Sequence, residues 1–220
     1  MDSTSSHANN LNVPDLNTLV AFAIASVALL VIPGPAVLYI INRSVSDGRT
    51  IGLSAVAGIE IGTLMHVLAA AAGLSAILAT SPNAFTAVKW LGASYLVFIG
   101  LRTLWRQPLP IDTSTTSVTN RQAFQQGFIV NTLNPKVALF FLSFLPQFID
   151  PDKGSNALQA LTFGLVFVSC GIITDGSYAL TASGLREVLV KGRTLPFIQR
   201  YVAGVVFVML GVVAASAKIS

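Results

Sequence analysis

The chain has 220 residues, of which 53% are apolar and 10% charged, with a mean hydropathy of +0.72. Soluble domains carry about 25% charged residues, so this composition excludes an ordinary soluble domain and fits one membrane domain. The formal charge of +4 does not point to nucleic acid, because the Lys and Arg residues stand singly at segment ends and form no basic patch.

Residues 1–15 are polar and hold no Lys or Arg. A secretory leader opens with a basic stretch, so this segment reads as a loose N-terminal tail. Six apolar segments follow, at 16–41, 51–78, 85–104, 124–148, 157–185 and 197–217. Their lengths suit a hydrocarbon core that takes about 20 helical residues to cross. Helices are the element expected, since spanning strands would be short and alternating. Between the segments, Asp47-Gly48, Ser81-Pro82-Asn83, residues 150–154 and Lys191–Pro196 carry turn chemistry, and 106–122 is the longest polar loop. The expectation is an all-α membrane protein with one transporter domain over 16–217.

Basic residues divide unevenly between the two sides. Arg43, Arg49, Arg102, Arg106, Arg121, Arg186, Lys191, Arg193 and Arg200 fall on one side, against Lys89, Lys153 and Lys218 on the other. The positive-inside rule then makes the first side cytoplasmic, the 106–122 loop included, and places both termini outside.

Two segments are broken by proline: the first at Pro33-Gly34-Pro35-Ala36 and the fourth at Asn134-Pro135-Lys136. Proline removes a backbone donor and clashes with the preceding turn, so each helix should kink or break there. The breaks fall in the first segment of each half. Each half has three segments, so the halves must be inverted if they share a fold. Two inverted three-helix repeats with broken helices at matching positions point to a transporter's central site; a plain proline kink is the simpler alternative. A helix restarting after Pro33 or Pro35 offers N–H groups and a positive dipole end to a carboxylate. Asn131, Asn134 and Lys136 add hydrogen-bonding groups at the second break. Lys136 either pairs with an acid or a solute carboxylate, or snorkels to the interface.

Two acids, Glu60 and Asp175, lie within the second and fifth segments. An ionised carboxylate at mid-bilayer costs about 2.5–3.5 kcal/mol or more, so such acids face a cavity or a partner. Both suit proton coupling; a protonated acid hydrogen-bonded between helices is the structural alternative. Helical spacing puts Gly58, Gly62 and His66 on one face, with Glu60, Thr63 and Val67 roughly opposite. The glycine face, with Gly48 and Gly52 before it, reads as close helix packing. His66 reads as a neutral histidine holding one hydrogen bond, with a relay role as the alternative. Gly171, Asp175, Tyr178 and Ala182 share a face of the fifth segment. Trp90, Tyr95 and Trp105 suit interfacial belts.

Several chemistries are excluded. Cys170 is the sole cysteine, which rules out a disulfide framework, a four-ligand zinc site and a two-cysteine thiol-redox carrier. No G-x-x-x-x-G-K-[ST], H-E-x-x-H or G-x-S-x-G motif occurs. No catalytic residue, metal or cofactor is expected, and the chain reads as a transporter and not an enzyme.

The run PGPAVLYIINRSVSDGRTIGLSAVAGIEIGTLMHVLAAAAGL resembles the first half of the LysE/RhtB amino-acid exporters, with Gly48, Gly52, Gly58, Gly62, His66, Gly73 and Leu74 fitting their pattern. KWLGASYLVFIGLRTL is similar to that family's third span, GFIVNTLNPKVALFFLSFLPQFIDP to its fourth, and TDGSYALTA to one subgroup's fifth. The resemblance implies a six-helix exporter in a bacterial-type inner membrane. Its solutes would be amino acids or derivatives such as homoserine, threonine, leucine or lysine, exchanged for protons by alternating access. It carries a substrate site onto Pro33, Gly34, Pro35, Asn134, Pro135 and Lys136. The chain departs from the family at Thr63, where many members have an acid or amide, and carries Glu60 where some relatives have Gln. A homodimer through glycine-rich faces is expected. The competing classes are a passive channel, an exporter of another polar metabolite, and a non-transporting subunit.

Overall fold

The computed structural model describes residues 14–80, 82–105, 117–182, 184 and 197–216, and among these the chain forms eight α-helices and no strand. In chain order these are α1 (Leu16–Leu30), α2 (Pro35–Asp47), α3 (Arg49–Thr80), α4 (Pro82–Trp105), α5 (Asn120–Thr132), α6 (Pro135–Ser143), α7 (Asn156–Ala182) and α8 (Ala203–Ser216). A 3-10 turn (Leu145–Phe148) follows α6, and a π-helical turn (Ile198–Val202) leads into α8. Most of the expected tail, Ser81, most of the 106–122 loop, the Lys191–Pro196 turn, and Arg106, Arg186, Lys191, Arg193 and Lys218 lie outside the described residues.

Among the described residues two helices are long and apolar enough to cross a bilayer alone, Arg49–Gly73 of α3 and Asn156–Ala182 of α7. Two more candidate spans are bent pairs. The axis turns by 58° between α1 and α2, and by 45° between α5 and the stretch Pro135–Phe148. The chain is therefore a multi-pass membrane protein. The breaks have a local cause. Pro35 and Pro135 each open a helix, the position where a missing N–H costs nothing. The residue before each is extended: Gly34 at φ −106°, ψ −169° and Asn134 at φ −77°, ψ 108°, as the ring's clash with an α-helical predecessor requires.

Two helix ends differ from the sequence expectation by four residues or more. The fourth segment begins at Asn120, not 124, because Thr119 and Gln122 close a capping box whose reciprocal hydrogen bonds satisfy the first turn. α2 continues past Ile41 to Asp47, which draws Arg43 out of the expected loop and into the helix. There it is 7% exposed and paired with Asp47 at 2.9 Å, one turn on. Gly48 then ends α2 at φ 90°, a conformation glycine adopts without the penalty a Cβ brings. No atom stands within 4 Å of the Cβ it lacks, so Gly48 is a turn residue and not the packing residue expected of it.

α3 packs against α5 and α7, and α4 against α8. The α3–α5 crossing is close. A Cβ on Gly58 would collide with the Phe124 carbonyl oxygen, and one on Gly127 would stand 2.5 Å from the Ala55 carbonyl oxygen. Gly52 meets Ser44 of α2 in the same way, and Gly62 meets the Phe128 carbonyl at 2.9 Å. Because the obstacles at Gly58 and Gly127 are backbone, the helices themselves must move apart to admit a methyl group. Gly58→Ala is expected to lower stability by about 1–3 kcal/mol, as overpacking does. Thermal unfolding of the detergent-solubilised protein measures this, and an unchanged midpoint would contradict the close crossing.

Beside this crossing, Phe22 of α1, Phe140 of α6, Phe144 at its C-cap, the half-buried Phe148, and Phe163 and Phe167 of α7 form one aromatic cluster. The ring centroids of its neighbouring members lie 4.9–5.8 Å apart, the spacing of favourable tilted and edge contacts. Ile24, Leu68, Leu91, Phe98, Leu165, Ile173 and Met209 are exposed, as lipid-facing positions require.

Candidate functional site

The two helix breaks meet. At the first, the end of α1 frees the carbonyls of Val31 and Ile32, and groups distant in sequence take both. Lys136 Nζ donates to the Ile32 carbonyl at 2.6 Å, and the Tyr178 hydroxyl of α7 donates to the Val31 carbonyl at 2.7 Å. Inside a bilayer such carbonyls must find partners within the protein. The lysine therefore turns inward and does not snorkel. Its stem lies on Gly34, where a Cβ would stand 3.2 Å from Cδ.

At the second break, Asn134 caps α6: its Oδ1 accepts from the Lys136 backbone N–H at 3.1 Å, while its Nδ2 donates to Asn131 Oδ1 at 3.1 Å. Asn131, 1% exposed, ties the break to α3. Its Nδ2 donates to the Ile59 carbonyl at 2.9 Å and to Thr63 Oγ1 at 2.8 Å. His66 lies 2.8 Å from the Asn131 carbonyl through Nε2. A carbonyl can only accept, so that nitrogen carries the proton.

Between the breaks lies a small cavity of about 20 Å³, lined by Leu29, Leu30, Gly34, Ala36, Val37, Ile59, Thr63, Asn131, Asn134, Lys136, Val137 and Asp175. This suffices for about one water and is too small for an amino acid. Its composition is amphipathic. Aliphatic side chains form one part, and an ammonium, a carboxylate, two amides and the Thr63 hydroxyl form the polar part. Asp175 is 2% exposed, and its Oδ1 has no hydrogen-bond partner. It acts electrostatically on Lys136 and on Glu60. Glu60 is 6% exposed, lies against Gly171 of α7, and its Oε2 is likewise without a partner.

The structure thus gathers Gly34, Ala36, Asn131, Asn134, Lys136 and Asp175 around one cavity. Pro33 and Pro135 shape the backbone beside it, Pro35 opens α2 from an exposed position, and Glu60 sits next to the cavity without lining it. Sequence reasoning missed the role of Thr63 as the α3 group that receives Asn131. It also missed the Ile32 and Val31 carbonyls, which no side-chain pattern can reveal. Among the described residues no cluster of His, Cys, Asp and Glu could hold a metal ion.

The family model for LysE type translocators matches residues 27–218. Over 206 residues the chain is 30% identical to an uncharacterized membrane protein of Vibrio cholerae, covering 93% of this chain and 99% of that protein. Over 200 residues it is 28% identical to the homoserine/homoserine lactone efflux protein of Salmonella typhimurium, covering 90% and 96%. The homoserine/homoserine lactone efflux protein of Salmonella typhi matches equally well. No solved structure matches the chain significantly.

Proposed function

The chain belongs to the LysE type translocator family, and from that premise we propose that it exports a small amino acid or amino-acid derivative across a bacterial inner membrane in exchange for protons. Homoserine is the first solute to test, since relatives similar along nearly their whole length are named for its efflux. The observation that carries the reading is the meeting of both helix breaks at one cavity that holds an ammonium and a carboxylate. A zwitterion needs that pair: Lys136 for its carboxylate, Asp175 for its ammonium, and Asn131 and Asn134 for its remaining hydrogen bonds. The helix starts at Gly34–Ala36 and Pro135–Lys136 add a positive dipole end to the carboxylate side.

In this proposal six spans form two inverted halves, both termini lie outside, and the chain pairs as a homodimer through its glycine-rich faces. The halves rock about the breaks and open the cavity alternately to each side. The buried acids Asp175, at the cavity, and Glu60, beside it, together couple that motion to protons. A passive channel is the competing reading.

Counterflow separates the two. Proteoliposomes preloaded with unlabelled homoserine should take up labelled homoserine transiently above equilibrium, and the other amino acids of a panel rank by how well they compete. Flux that never overshoots and never saturates would contradict the carrier.

A further inference from the structure

One ammonium and two carboxylates meet at the centre of the chain, and the two acids are not equivalent. Asp175 lines the cavity with Lys136. Glu60 does not, although its neighbours Ile59 and Thr63 both do. Its carboxyl is held between α3 and α7 in the notch left by Gly171, where a methyl group would stand 2.5 Å from Oε1 and 2.8 Å from Oε2. A single lysine can balance one carboxylate, and Lys136 acts on Asp175.

Among the described residues the groups around Glu60 offer it no cation. On α7 it meets Asp175, a like charge. On its own helix Thr63 is the hydroxyl in reach, and His66 is committed to the Asn131 carbonyl. From α5 comes Asn131, whose amide is spent on Ile59 and Thr63. On α2, the Tyr39 hydroxyl bonds Gln126 and the Ala123 carbonyl, and Arg43 is paired with Asp47. Tyr178 of α7 is bonded to the Val31 carbonyl. A buried charge without compensation is the costly case, and a carboxyl set against a neighbouring carboxylate escapes it by holding a proton.

We infer that the two acids divide the work: Glu60 carries the coupling proton, and Asp175 is the counter-ion passed between Lys136 and the ammonium group of the solute. Gly171 is the positioning residue that admits the Glu60 carboxyl to the helix interface. The division rests on the exporter reading and explains why solute and proton exchange. A solute ammonium arriving at Asp175 adds a positive charge beside Glu60, and the proton leaves its carboxyl for water on the cytoplasmic side. When the solute departs outside, the field reverses and Glu60 takes a proton from that side. Linkage makes the competition mutual.

The test uses the full chain in proteoliposomes, with labelled homoserine as the probe, and reads two quantities: exchange at equal pH and accumulation under an imposed pH gradient. Glu60→Gln should lose gradient-driven accumulation, bringing the ratio to about 1, while its exchange falls far less than that of Asp175→Asn, which should drop about tenfold or more as a lost charged contact implies. Gly171→Ala should reproduce the Glu60→Gln pattern. Accumulation by Glu60→Gln at the wild-type level would overturn the inference, as would Asp175→Asn losing only the gradient response. A second readout needs no transport. Dicyclohexylcarbodiimide attacks protonated carboxyls in apolar surroundings, so mass spectrometry of the treated protein should find the adduct on Glu60, less of it with homoserine present. An adduct on Asp175 alone would overturn the division. If the wild type moves no homoserine, the choice of solute fails on its own and the labelling still decides between the acids.

Discussion

Lys136→Met is expected to weaken solute binding by about 10–100-fold, the scale of a charged hydrogen bond worth about 1.5–3 kcal/mol. Methionine keeps an unbranched apolar stem against Gly34 but brings no donor. The Ile32 carbonyl then loses the group that satisfies it at 2.6 Å, and Asp175 loses the cation that acts on it. Arginine should not rescue the variant fully. Gly34 sits against the lysine stem at Cδ, leaving little room for a planar guanidinium. Titration calorimetry with homoserine on wild type, Lys136→Met and Lys136→Arg checks this. Equal affinities for wild type and Lys136→Met would remove the lysine from the solute site.

Asn131→Ala is the second large effect, and it falls on stability. One side chain bridges α5 to the Ile59 carbonyl and Thr63 of α3, and receives the Asn134 amide. Interhelical hydrogen bonds in membranes average only about 0.6 kcal/mol, with a maximum of about 1.7. Removing Asn131 also strands the Asn134 amide, a burial cost of about 1–3 kcal/mol. The sum is a loss of about 2–4 kcal/mol, read as a lower unfolding midpoint of the solubilised protein. Asn131→Asp should fare no better, because a carboxylate cannot donate and would stand near Asp175. A midpoint unchanged in both variants would show that the break is not tied to α3 through this residue.

Both predictions rest on residues visible in the sequence, and the reasons they were visible are physical. Proline at a helix interior announces a break wherever it occurs, so both bends could be placed from Pro33–Pro35 and Pro135. Acids in apolar runs announce a partner, so Glu60 and Asp175 stood out. The glycine spacing of Gly58 and Gly62 marked the face on which α5 crosses. What the sequence could not carry was the pairing across the halves. Nothing local tells Lys136 to turn toward Ile32 and not toward the interface, since both outcomes suit a long cationic stem near a helix start. The reach of Tyr178 to Val31 and the notch at Gly171 are likewise products of tertiary packing. The misplacement of Arg43 has a different origin. The apolar run ends at Ile41, but helix continues wherever its hydrogen bonds and side-chain pairs support it, and Arg43 with Asp47 does so one turn further on.

Gradient-driven transport of labelled homoserine in inverted membrane vesicles tests the central claim most directly. Uptake into vesicles carrying the wild-type protein should rise when the interior is made acidic, collapse when a protonophore removes the gradient, and be lost in Lys136→Met. Homoserine flux that ignores both the gradient and the lysine would contradict a proton-exchanging carrier built on the two meeting helix breaks.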